Sequence, residues 1–67
     1  MKFLLNNREE ESALDSLSVS DLLELKKYSF RMRIIKINGA LISKDEYDST
    51  IIRNGDDVQI IYLMSGG

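Results

Sequence analysis

The chain contains no cysteine, no histidine and no proline. Without cysteine there is no disulfide, and without cysteine or histidine the usual zinc ligands are missing, so the fold must rest on packing. The same absence bears on chemistry. Asp45, Glu46, Asp56 and Asp57 fall in expected turns with no imidazole or thiol beside them, which does not make an acid-base pair and argues against an enzyme. No stretch of about 18 apolar residues is present for a membrane helix, and no basic start leads into an apolar stretch and cleavage site. The expectation is a cytoplasmic protein that does not engage a membrane. Cationic surplus is lacking too: nine Lys and Arg face eleven Asp and Glu, a net charge of −2. Nucleic-acid binding depends on clustered cations that neutralise phosphates, and is disfavoured. Finally, 67 residues make one small domain, which buries only about 60% of the surface its unfolded chain exposes and has no room for a catalytic cleft.

What is present is a regular succession of short apolar runs and turn signals. Met1 to Leu5 reads as a strand ended by Asn6-Asn7, residues that tolerate the left-handed backbone of a tight hairpin. Arg8 to Leu14 is too acidic for a central strand and suits a solvated edge, where charge discourages pairing with another chain; a site for a basic partner is the alternative. Ser18 and Asp21 mark a helix start, with Ser18 as N-cap and Asp21 at the third helical position. The helix is expected to run about three turns, to about Tyr28. Val19, Leu22 and Leu23 share its apolar face, although Leu25 blurs the stripe. Arg33 to Ile37 is β-branched and bounded by Asn38-Gly39, a strong hairpin signal, and Ala40 to Ser43 returns. Lys44 to Ser49 predicts an irregular or 3₁₀ turn before Ile51 and Ile52 come back to the core. Asn54-Gly55-Asp56 turns the chain into a last, near-continuously apolar strand, as suits a central position.

This order predicts an α+β domain of β-grasp, ubiquitin-like type: a mixed sheet of about five strands crossed by one helix, its first and last strands parallel neighbours. Alternation proposes the core as Phe3, Leu5, Leu22, Leu23, Ile35, Ile37, Val58 and Ile60, with Ile51 or Ile52 closing one end. It places Leu4, Ile34, Ile61 and Leu63 on the opposite face, which a chain this short cannot cover. Contiguous exposed apolar surface commonly marks a docking site; scattered exposed aliphatics, or strand twist turning some inward, are the ordinary alternative.

The last strand leads into Met64-Ser65-Gly66-Gly67. Two glycines without Cβ atoms can thread a channel too narrow for side chains, and the handle they present is the α-carboxylate of Gly67. A carboxylate resists nucleophiles until converted to an anhydride, which requires an activating partner. Residues 1–64 are thus expected to form the domain and 65–67 a flexible tail. Fully extended, Met64 to Gly67 reach about 13 Å. Terminal glycines can also be incidental.

Asn38-Gly39, the pair Leu41-Ile42, the polar stretch containing Tyr47, Asn54-Gly55-Asp56, an apolar last strand and the final Gly66-Gly67 together resemble the ThiS family, the sulfur carriers of thiamin biosynthesis. The resemblance covers the whole chain. It implies a carrier that is a co-substrate rather than an enzyme: a ThiF-like adenylyltransferase uses ATP to adenylate Gly67, a cysteine desulfurase supplies persulfide sulfur, and a ThiG-like thiazole synthase consumes the resulting thiocarboxylate. Gly67 would carry the acyl group, Gly66 and Ser65 would form the threading tail, and Leu63, Ile61, Met64, Leu4 and Ile34 would dock the partner. The carrier itself would bind no cofactor or metal and would be monomeric when free. The molybdopterin-synthase small subunit also ends Ser-Gly-Gly, but those proteins are usually longer, with prolines before the tail. A carrier serving thiolated tRNA or cysteine, a ubiquitin-like protein modifier, and a plain interaction module with a silent tail complete the alternatives.

Overall fold

The computed structural model describes residues 1–28 and 33–62. Strands β1 (Lys2–Leu5), β2 (Arg8–Glu11), β4 (Arg33–Ile37), β5 (Ala40–Ile42) and β7 (Asp57–Tyr62) form one sheet in the order β2-β1-β7-β4-β5. A short pair, β3 (Leu17–Ser18) with β6 (Ile51–Ile52), closes one end, and helix α1 (Val19–Leu25) packs its apolar side into the core. β1 and β7 are parallel neighbours and the other pairs are antiparallel. This is the expected β-grasp arrangement.

Turn chemistry fixes the registers. Asn6 and Asn7 adopt φ of 51° and 67°, and Asn38 and Gly39 adopt 52° and 84°. Two consecutive positive φ values match the right-handed twist of the flanking strands, which is why short polar residues and glycine sit there. The Asn side chains also extend the ladders. Asn6 Oδ1 accepts the Ile60 N–H at 2.8 Å, and Asn38 Oδ1 accepts that of Asp57 at 2.9 Å. Both bonds tie a hairpin tip to β7, the strand that leads to the tail.

The start of α1 is fully accounted for. The Ser18 hydroxyl accepts the Asp21 N–H at 3.0 Å, and the Asp21 carboxylate returns to the Ser18 N–H. Val19 N–H donates to the Thr50 carbonyl and Ser20 N–H to that of Tyr47, so the first-turn donors left over by helix geometry all have acceptors. The helix is shorter than expected, seven residues instead of three turns. Its end shows why: Lys27 takes φ 56°, its N–H bonds the Glu24 carbonyl, and the Tyr28 N–H bonds that of Leu23. This paired closure stops the helix, and here it is made without the glycine that usually announces it. An L-residue in that conformation is strained by about 1–2 kcal/mol. Lys27→Gly is therefore expected to stabilise the domain by about 0.5–1 kcal/mol, raising the melting temperature by about 4 °C. A calorimetric scan checks this, and an unchanged or lower midpoint refutes it.

Every residue of the expected core is buried, with Ile52 rather than Ile51 closing the end. Leu17, Val19 and Tyr47 complete the cluster. Val19, Ile35, Ile52 and Val58 have no solvent contact. Ile35 and Ile60 lie opposite each other on β4 and β7, so the centre of the core is a cross-strand aliphatic pair under the helix.

Candidate functional site

β7 occupies the middle of the sheet and carries the chain toward the glycines. Its hydrogen-bonded neighbours fix its position. β4 pairs with it from Arg33↔Tyr62 to Ile37↔Val58, and β1 pairs through Leu4↔Asp57 and Leu5↔Val58. A central strand buried on its inner side offers a rigid base for whatever follows it.

The residues proposed for docking are separated by this register. Ile34 and Ile61 stand opposite each other on the outer face, Ile61 exposed and Ile34 half-buried. Leu4 is exposed on the same face but beside Asp57, four residues back along β7, about 13 Å from Ile61. Leu4 thus stands apart from the patch nearest the end of β7. Leu41 takes its place there: the two-residue turn at Asn38-Gly39 sets Lys36 opposite Leu41, which shares the outer face and is 66% exposed. Leu41 and Ile34 line one hollow. Sequence reasoning assigned Leu41 to a strand but not to this patch; counting outward from the hairpin turn would have found it. Leu63, Met64, Ser65, Gly66 and Gly67, the remaining proposed site residues, lie outside the described residues.

Inward of the patch, the end of β7 is braced by aromatic groups. Tyr62 meets Tyr28 edge to face, with ring centroids 5.5 Å apart at 79°. The Arg33 guanidinium lies 5.5 Å from the centre of the Tyr47 ring. Desolvation raises the Tyr62 phenol above its ordinary value, and the neighbouring Tyr28 adds to the shift. An upward shift keeps Tyr62 neutral across the working pH range of proteins, so it acts here as a packing group rather than an acid. Nearby, the Ser43 hydroxyl and N–H hold the Glu46 carboxyl below its usual range. That carboxylate caps the 3₁₀ turn Lys44–Glu46.

Among the described residues no group of three or more His, Cys, Asp or Glu could hold a metal ion. No helix among them is long and apolar enough to cross a membrane. The arrangement can present a surface and a strand end.

A five-stranded mixed sheet of this order, one helix across it, an apolar outer patch and a Gly-Gly end define the class of ubiquitin-like β-grasp proteins. Comparisons narrow the class. The sequence model of the ThiS family matches residues 3–67, and the chain belongs to that family. A crystal structure of a thiamine biosynthesis protein (ThiS) from Geobacter metallireducens is 28% identical and superposes with a TM-score of 0.89, covering 100% of both chains. A solution structure of a thiamine biosynthesis protein from the same organism gives 0.80 at 28% identity, covering all of this chain and 88% of that one. No match is found among curated proteins.

Proposed function

We propose that this chain is a sulfur carrier of thiamin biosynthesis, working in the cytoplasm as a co-substrate of partner enzymes. The observation that carries the reading is the extent of the family match, residues 3–67, which includes the final Gly66-Gly67. The likeness to a thiamine biosynthesis protein over the whole of both chains supports it.

The chemistry follows from the carboxylate. A ThiF-like adenylyltransferase directs an oxygen of the Gly67 carboxylate at the α-phosphorus of ATP; an acyl-phosphate bond forms and pyrophosphate leaves. The terminal sulfur of a persulfide, loaded by a cysteine desulfurase, then attacks the acyl carbon and expels AMP. A second thiol cleaves the resulting acyl disulfide, taking the other sulfur into a new disulfide and releasing the thiocarboxylate. A ThiG-like thiazole synthase consumes that sulfur. The carrier supplies an acyl end bare of side chains and a body to recognise, which fits a chain without nucleophilic cysteine.

Intact-mass spectrometry after incubation with ATP, the adenylyltransferase, a cysteine desulfurase, cysteine and a reducing thiol tests the cycle. The expected result is exchange of one oxygen for sulfur, localised to the C-terminal peptide. An unchanged mass with a partner proven active on another carrier refutes it. In the same assay Ile61→Glu should leave folding intact, because Ile61 is 44% exposed, and raise KM for adenylation about tenfold or more by removing an apolar anchor. An unaltered KM would place docking elsewhere.

A further inference from the structure

The outer face of the sheet is not uniformly apolar: Lys36 stands in its middle. It lies opposite Gln59 on β7 and opposite Leu41 on β5, one strand position from the facing pair Ile34 and Ile61. Lys36 is already half-buried. Yet it takes part in neither ion pair formed among the described residues, Lys2 with Glu9 and Lys26 with Glu10. The carboxylate diagonal to it across β4 and β7 is Asp57, whose Oδ1 is buried and accepts no hydrogen bond among the described residues. Lys36 and Asp57 are therefore neighbours in register that do not pair.

A cation so placed limits what can cover this face. Any partner that seats Ile61, Ile34 and Leu41 also removes the Lys36 ammonium from water, and a buried charge without a counter-charge or acceptors is strongly unfavourable. An apolar socket alone would be rejected. From this, and resting on the functional reading above, we propose that Lys36 is a specificity-determining residue: the adenylating partner's docking surface combines an apolar seat for Ile34, Ile61 and Leu41 with a carboxylate that meets the Lys36 ammonium. Apolar contact then supplies affinity, while the charge selects the partner and sets register. Ubiquitin-like surfaces that offer an apolar patch without a cation at this point would leave the partner's carboxylate buried and unpaired, so discrimination works in both directions.

The test is steady-state adenylation by the ThiF-like enzyme, read as pyrophosphate release, with wild type, Lys36→Glu and Lys36→Met. Lys36→Glu should lower kcat/KM by more than about tenfold, almost entirely through KM, because like charges then face each other. Lys36→Met keeps the side-chain length without charge; its KM should also rise, and it should lose the salt dependence that wild type shows across about one decade of ionic strength. The melting temperature of Lys36→Met should match wild type, since Lys36 takes part in no ion pair among the described residues. A KM for Lys36→Glu equal to that of wild type, or tighter docking by Lys36→Met, overturns the proposal while leaving the sulfur-carrier reading intact. A drop in melting temperature matching the loss of activity overturns it by making Lys36 a structural residue. If the wild-type chain prompts no pyrophosphate release from an adenylyltransferase proven active on another carrier, the functional reading falls, and this inference with it.

Discussion

Removal of Gly67 alone is expected to lower the kcat/KM of adenylation by more than about 100-fold while leaving the melting temperature unchanged. The truncated chain still ends in a glycine carboxylate, so reactivity is conserved and only reach is altered. One residue of extended chain spans about 3.5 Å. In-line attack on phosphorus needs the reacting atoms at about 3–3.5 Å, and a displacement of about 1 Å can cost about 100-fold. If the body is held by its outer face as proposed, a carboxylate one residue short would not close that gap. Adding a residue beyond Gly67 should fail for the complementary reason. The measurement is pyrophosphate release together with intact mass. Undiminished rates in the truncated chain would mean that the partner accepts a carboxylate one residue short and that reach does not set the rate; no pyrophosphate release from the full chain with a proven partner would leave the interaction-module reading standing.

Ile35→Ala should be the most damaging of the conservative core changes. Ile35 is fully buried at the middle of β4, opposite Ile60 on β7 and Ile42 on β5. Truncating such a side chain removes buried methyl groups and leaves a cavity that cross-strand neighbours cannot collapse, at about 2–5 kcal/mol. Domains are stable by roughly 0.05–0.15 kcal/mol per residue, which for this length is about 3–10 kcal/mol in all. One cavity thus removes a large share of the total, with no disulfide to compensate. Urea denaturation should show the midpoint falling by half or more with an unchanged slope. A loss under about 1 kcal/mol would show that the sheet closes over the gap and that the core is centred elsewhere.

Most of the architecture was legible because local signals agreed with one another. Asn6-Asn7 and Asn38-Gly39 each require positive φ at two residues and adopt it. Ser18 and Asp21 form the capping box that their spacing announces. Alternation along three strands, β1, β4 and β7, placed the inward residues correctly because each strand keeps its inner side on one core. The features that escaped depend on distant parts of the chain. The helix ends at Leu25 because Lys27 accepts a left-handed backbone, and nothing in the side chain of lysine signals that. The β3 and β6 pair is only two residues on each side, too short to display a period, so Leu17 was not recognised as core. Tyr47 sits in a polar stretch yet is buried under Arg33.

The outer apolar patch divides in the same way. Ile34 and Ile61 follow from alternation within β4 and β7. The separation of Leu4 follows from the parallel register of β1 on β7, which the long path between them sets and no local motif reports. Leu41 joins the patch through hairpin counting, and the position of Lys36 beside it emerges only when three strands are laid side by side.

The parallel pairing of β1 with β7 also decides how the body answers a pull on its end. Tension between the amino-terminal strand and the tail loads the bonds from Leu4 N–H to the Asp56 carbonyl at 2.8 Å, from Asn6 N–H to that of Val58 at 2.9 Å, and from Ile60 N–H to Asn6 Oδ1. Strands that point the same way share that tension in shear, all bonds at once, whereas a hairpin pulled from its open end peels bond by bond. A pull that holds the amino-terminal strand while drawing on the end of β7 therefore meets these bonds loaded together.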